Sequence, residues 1–212
     1  MPLTQAAARE LLHTRDIQIC GYRRDDGLYD IEAQLADAKS YGFVNQDRGY
    51  VDAGEKLHGM WLRLTLDETM TIVASEAATD HAPYTVCPSA APAFAALTGL
   101  RIKPGFLREA NQRVGGAAGC THLRELLQQI ATTAFQTIGP HRAWREAQER
   151  GEVAERGSDK LDARIAQKLL GSGASIVNSC RAYASDGPIV QRRWPELYTG
   201  ADAIGEPAAP AS

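Results

Sequence analysis

No stretch of this 212-residue chain is apolar for long enough to cross a bilayer, which takes about 20 residues. Charge of one sign is also missing. The net charge is −3 with both signs interspersed, so there is no basic field for nucleic acid or for an acidic membrane. The opening "MPLTQAAARELLHTRD" lacks the charged start, apolar stretch and cleavage site of a secretory signal, which makes the cytoplasm the expected location. Close-set cysteine pairs are absent too. Cys20, Cys87, Cys120 and Cys180 stand far apart, and in a reducing compartment they are expected as free thiols, ligands or catalytic groups rather than disulfides. There is no internal repeat. The length suits one domain with a real core.

What is present reads as strands first and helices later. "RDIQICGY" alternates at Ile17 and Ile19, "DDG" turns, and "LYDIEAQLAD" alternates through Tyr29, Ile31, Ala33 and Leu35. That predicts a β-hairpin over 15–38. A second hairpin is predicted over 61–78, where "WLRLTL" sets Leu62, Leu64 and Leu66 against Trp61, Arg63 and Thr65. A helix over about 88–98 would start near a proline. The strongest helix is expected over 121–138, with Leu123, Leu126, Leu127, Ile130, Ala134, Phe135 and Ile138 in one stripe. Residues 140–160, rich in Arg, Glu and Gly, read as a solvated helix and linker, a charged insertion. A short helix near 160–170 and a disordered tail over 200–212 complete the reading. The order favours a single α+β domain over 13–198, an antiparallel sheet of two hairpins with helices on one face.

The stretch "GGAAGCTHLREL", residues 115–126, carries the clearest hint of chemistry. It is not a phosphate cradle, because no lysine and hydroxyl residue follow the glycines and no apolar strand precedes them. It suits an activated thiol. Cys120 stands at a helix start, where free N–H groups favour a thiolate, and the same field keeps His122 neutral, as a ligand or base. A glycine-rich turn with a small buried thiol is the plainer alternative. A metal site is the third reading. His58 would stand just ahead of the third strand, and Asp80, His81 and Cys87 just after the fourth. In a hairpin those places adjoin, and Cys120 would meet them from its helix start, so His58, Cys87 and Cys120, with a fourth carboxylate, histidine or water, suit zinc or iron; each histidine also reads as an ordinary surface or core residue.

The runs "CGYRRDDGLYDIEAQLADAKSYGF", "GEKLHGMWLRLTLDETMTIVASEAATDHAPYTVC", "GGAAGCTHLRELL" and "VNSCRAYASDGPIVQRRWPE" resemble a bacterial family described only as a domain of unknown function. The resemblance spans 13–195 and implies a place in aromatic-compound catabolism. More distantly, "LHGMWLRLTLDETMTIVASEA" followed by Cys87 and Cys120 is similar to the iron–sulfur cluster scaffold domain. His58 falls at that family's first cysteine, Gly59 matches, and Met60 replaces its aspartate. The likeness implies an iron–sulfur-scaffold-like fold with all three ligands at one end of the sheet. The changes at His58 and Met60 favour a mononuclear metal over a cluster.

Arg63, beside Trp61 and Thr65, is a candidate clamp for a substrate anion, with Arg23 and Arg24 near the first turn. Tyr22 and Tyr84 are candidate proton donors. Each arginine also reads as an ordinary solvated side chain. Cys20 is expected to be structural, Trp194 to cover the core in a closing strand or turn, and Cys180 to join the site or merely pack. The function expected is a metal-dependent hydrolase or lyase acting on a small organic, aromatic acid. The alternatives are a metal–thiolate or iron–sulfur carrier, and a metal-free enzyme with Cys120 as nucleophile and His58 or His122 as base. The partners expected are the acid substrate and, at most, further copies of the chain.

Overall fold

Alternation of apolar and polar residues builds the sheet. The computed structural model describes residues 3–151 and 176–200. Strands β1 (His13–Arg23), β2 (Tyr29–Lys39), β5 (Lys56–Leu66) and β6 (Ile72–His81) form one four-stranded sheet in the order β1-β2-β5-β6. Every neighbouring pair is antiparallel. The expected hairpins are both there, each extended by a few residues. His58 therefore lies inside the third long strand and not ahead of it. A small hairpin, β3 (Phe43–Asn45) and β4 (Gly49–Val51), links β2 to β5.

One sheet face is buried. Tyr29, Ile31, Ala33 and Leu35 of β2 and Met60, Leu62, Leu64 and Leu66 of β5 share one core with the helices. The helix expected over about 88–98 is there as a 3₁₀-helix, Cys87–Leu97. Pro92 lies inside it and supplies no N–H for α-helical pairing. Two α-helices follow, α1 (Phe106–Val114) and α2 (Thr121–Glu149). The α2 stripe is buried at Leu123, Leu126, Leu127, Ile130, Ala134 and Ile138, but Phe135 is exposed. At about 100° per residue, Phe135 is turned a quarter of the way round from Ala134.

The α2 helix runs beside β1. Arg15 pairs with Glu125, and a side-chain carbon at Gly21 would sit 2.1 Å from Thr137 Oγ1. The glycine run serves the reversal between α1 and α2. Gly116 has φ +60, and a Cβ at Gly119 would meet the Val114 carbonyl at 2.0 Å.

The chain falls into two compact units, 1–138 and 139–212. The boundary falls at Gly139–Pro140, the pair in α2 least suited to a helix interior. In the second unit, where a closing strand or turn was expected, α3 (Pro188–Arg193) is followed by a 3₁₀ turn, Pro195–Leu197. Trp194 between them is buried, as expected, and its ring lies 6.0 Å from that of Tyr183. The helix expected near 160–170, part of the 140–160 segment and the tail beyond Gly200 lie outside the described residues.

Candidate metal centre

Antiparallel register sets three polar side chains in one row. Arg15 of β1 pairs with Asp37 of β2, and Asp37 pairs with His58 of β5. Asp37 follows Tyr29, Ile31, Ala33 and Leu35 on the core-facing side, and it is as buried as they are, at 1% exposure. A carboxylate there needs partners. Arg15 supplies a fork: Nε donates to Oδ1 and Nη2 to Oδ2, both at 2.8 Å. Its Nη1 donates to Glu125 Oε2 of α2 at 2.7 Å. Burial pushes the Asp37 carboxyl up, but the Arg15 hydrogen bond and charge, helped by His58 and His13, outweigh it and hold the group below its usual range.

Three imidazoles surround this carboxylate. His58 Nδ1 is 3.0 Å from Oδ2. His122, in the first turn of α2, brings Nε2 to 3.8 Å from the same oxygen. His13 brings Nε2 to 3.5 Å from Oδ1. The rings of His58 and His122 stack with centroids 3.9 Å apart. Burial, then the neighbouring His122, push the His58 imidazole below its ordinary value against the pull of Asp37. It is therefore neutral at pH 7, with a lone pair to offer. One ligating atom from each of Asp37, His58 and His122 lies within 4.8 Å of the others, the one such group among the described residues.

The expected trio of His58, Cys87 and Cys120 is not gathered in one place. Only His58 belongs to the group. Cys120 turns its Sγ to the Met60 thioether at 3.7 Å, one pleat further along β5 and towards the core. Cys87 is half-buried at the first position of the 3₁₀-helix, beyond the loop that follows β6. Of the expected catalytic residues, His122 is at the centre. Arg63 is not, because it projects from the opposite sheet face and is held by Glu76 at 2.5 Å and Glu32 at 3.5 Å. Tyr22 alternates out of step with Arg15 and faces away too, exposed beside Cys20. Tyr84 is exposed on the loop after β6. Asp80 accepts from Trp61 Nε1 at 2.7 Å. Cys180 is exposed in the second unit.

Asp37, Arg15 and His13 are the members that sequence reasoning missed. The signal lay in the strand pattern, in which Tyr29, Ile31, Ala33 and Leu35 are followed two residues on by a carboxylate at the next core-facing position.

A family model matches residues 13–136, a span that contains every member of this cluster. The resemblance expected up to residue 195 is thus shown over the first unit, and nothing supports the likeness to the iron–sulfur scaffold. Neither the curated proteins nor the solved structures contain a match. The match covers more than half of the chain, which therefore belongs to the family described as Protein of unknown function (DUF2889).

Proposed function

We propose that the protein is an enzyme with a divalent metal centre, zinc or iron, held by Asp37, His58 and His122, and that it acts on a small organic acid as a hydrolase or lyase. The observation that carries this reading is the convergence of the three ligating atoms within 4.8 Å. Two imidazoles and a carboxylate are a familiar set for such ions, and a three-residue site leaves positions for water or substrate. Two atoms each about 2.1 Å from one ion are about 3.0 Å apart at right angles and at most about 4.2 Å apart. The separations of 3.0 and 3.8 Å from Asp37 Oδ2 fall in that span. The Arg15 fork occupies one lone pair on each carboxylate oxygen and leaves another.

When bound, the ion polarises a carbonyl or carboxylate oxygen or acidifies a water. The aromatic character of the substrate is supported by exposed apolar side chains on the segments at this end of the sheet, Leu12, Tyr41, Val44, Tyr50 and Tyr84. Tyr84 keeps its role there as a candidate proton donor.

Equilibrium dialysis of the full chain against zinc and cobalt(II) tests the centre. About one ion per chain is expected, with binding lost in H58A and in H122A. Equal background binding by all three proteins would overturn it. The Asp37–His58 contact at 3.0 Å supports a second reading, a metal-free base in which Asp37 holds the Nδ1–H of His58 and Nε2 takes a proton. That reading predicts no bound ion. The cysteine-nucleophile reading gains nothing, since the neighbour of Cys120 is a thioether, which takes no proton at neutral pH.

A further inference from the structure

The third imidazole at Asp37 has no work in a three-residue centre. His13 is the first residue of edge strand β1 and lies two residues before Arg15, on the same side of the strand. Its Nε2 reaches Oδ1 of Asp37, while His58 and His122 gather at Oδ2. The distances separate these contacts by kind. His58 at 3.0 Å makes a hydrogen bond, whereas His13 at 3.5 Å and His122 at 3.8 Å are too far for a good one. Arg15 donates once to each carboxylate oxygen, and His58 takes the second place on Oδ2. The cluster therefore brings more nitrogen to the carboxylate than its hydrogen bonds require. A cation among these atoms would use what hydrogen bonding leaves over.

Exposure orders the group. The side chain of Asp37 is 1% exposed, His58 12%, His122 25% and His13 42%. The first three form the floor and walls, and His13 is the one member at the solvent rim. His13 lies outside the group whose ligating atoms are all within 4.8 Å of one another, so it would close a four-coordinate site by turning inward from the rim and would open a position for an incoming oxygen by turning back.

We propose that His13 is the fourth protein ligand of this centre, held on the solvent side and exchangeable for an anionic ligand. The inference rests on the metal-centre reading of Asp37, His58 and His122, and the test separates the two. Cobalt(II) affinity is measured by chelator competition, with the visible spectrum, for the full chain and for H13A, H13D, H58A and H122A. H13A is expected to bind at least about 10–100-fold more weakly, the range that loss of even an outer-shell partner costs. Its cobalt bands should shift, and H13D, which restores an oxygen ligand, should recover most of the affinity. Acetate added to the full chain should move its bands towards those of H13A. If H13A keeps the parental affinity and spectrum while H58A and H122A lose binding, the fourth-ligand role falls and the centre stands. If H13A weakens binding but H13D does not restore it, ligation by residue 13 is likewise overturned. If no protein in the series binds cobalt above background, the centre itself falls.

Discussion

Asp37 is a carboxylate at a position where the strand pattern asks for an apolar side chain. Its cost is offset by Arg15, whose fork fits both oxygens, and by the His58 contact. Removing one partner strands the others. Asp37→Ala is expected to lower stability by about 2–3 kcal/mol, the lower part of the range for breaking a buried pair because Arg15 is partly exposed. Urea unfolding of D37A, R15A and the double variant checks this. The two losses should overlap by at least about 1 kcal/mol, since either change removes the same interaction. Strictly additive losses would mean that the fork contributes nothing. The same residue shows what sequence reading reached and where it stopped. His58 and His122 were identifiable by type, because each stood where a strand or helix was expected to begin. Asp37 lay inside the expected strand, one alternation past Leu35, and was passed over because the apolar alternation was read only as far as Leu35. The cysteines misled because spacing along the chain cannot tell which pleat a sulfur meets. Cys120 arrives one pleat beyond His58, beside Met60, and that offset separates a ligand from a core contact.

At the scale of elements, the two long hairpins were legible to within a few residues because a two-residue period persists through both strands of each. The β3–β4 hairpin was not, since strands of three residues carry too little period to register. The 3₁₀ character of Cys87–Leu97 was signalled by Pro92, but a proline alone does not say which helix type will accommodate it. The Asp67 side chain makes three of the hydrogen bonds that hold the turn between β5 and β6. Asp67 Oδ1 accepts from the N–H of Thr69 at 2.8 Å, the Thr69 hydroxyl at 2.8 Å and the N–H of Thr71 at 2.9 Å. It does so beside Met70, whose φ of 69° is uncommon for a residue with a side chain. Partial burial pushes the Asp67 carboxyl up, but these hydrogen bonds, with Arg101 nearby, draw it below its usual value. A carboxyl with a depressed folded value adds stability above its unfolded value, and that stability is lost as pH falls through the folded value. Asp67→Ala is therefore expected to cost about 1–2 kcal/mol at pH 7. The gap between parent and variant should close below about pH 4, where the unfolded carboxyl begins to take up its proton. Denaturation midpoints measured from pH 7 to pH 3 decide it. A gap that stays constant across that range would show that the charge on Asp67 plays no part.

At the scale of the whole molecule, the stripe on α2 reads as one helix from Leu123 to Ile138, and the helix itself continues to Glu149. Sequence reading marked 140–160 by its change of composition. The compact units meet at Gly139, and every residue of the core around the sheet falls between Tyr29 and Ile138. The family match, 13–136, lies inside the same unit, as do His13, Arg15, Asp37, His58 and His122. A unit of 138 residues is large enough to bury a self-sufficient core. Residues 1–138 expressed alone are therefore expected to unfold in one cooperative urea transition, with circular dichroism of mixed sheet and helix. Ending the chain at Ile138 leaves the last α2 carbonyls to water, as at any helix end. The truncated chain should also bind cobalt(II) within a few-fold of the full chain, because it carries every proposed ligand. A fragment that is soluble but melts without cooperativity would show that the first unit needs residues beyond 138 to close its core. Cooperative folding with cobalt affinity lost would show that a ligand of the centre lies in the second unit.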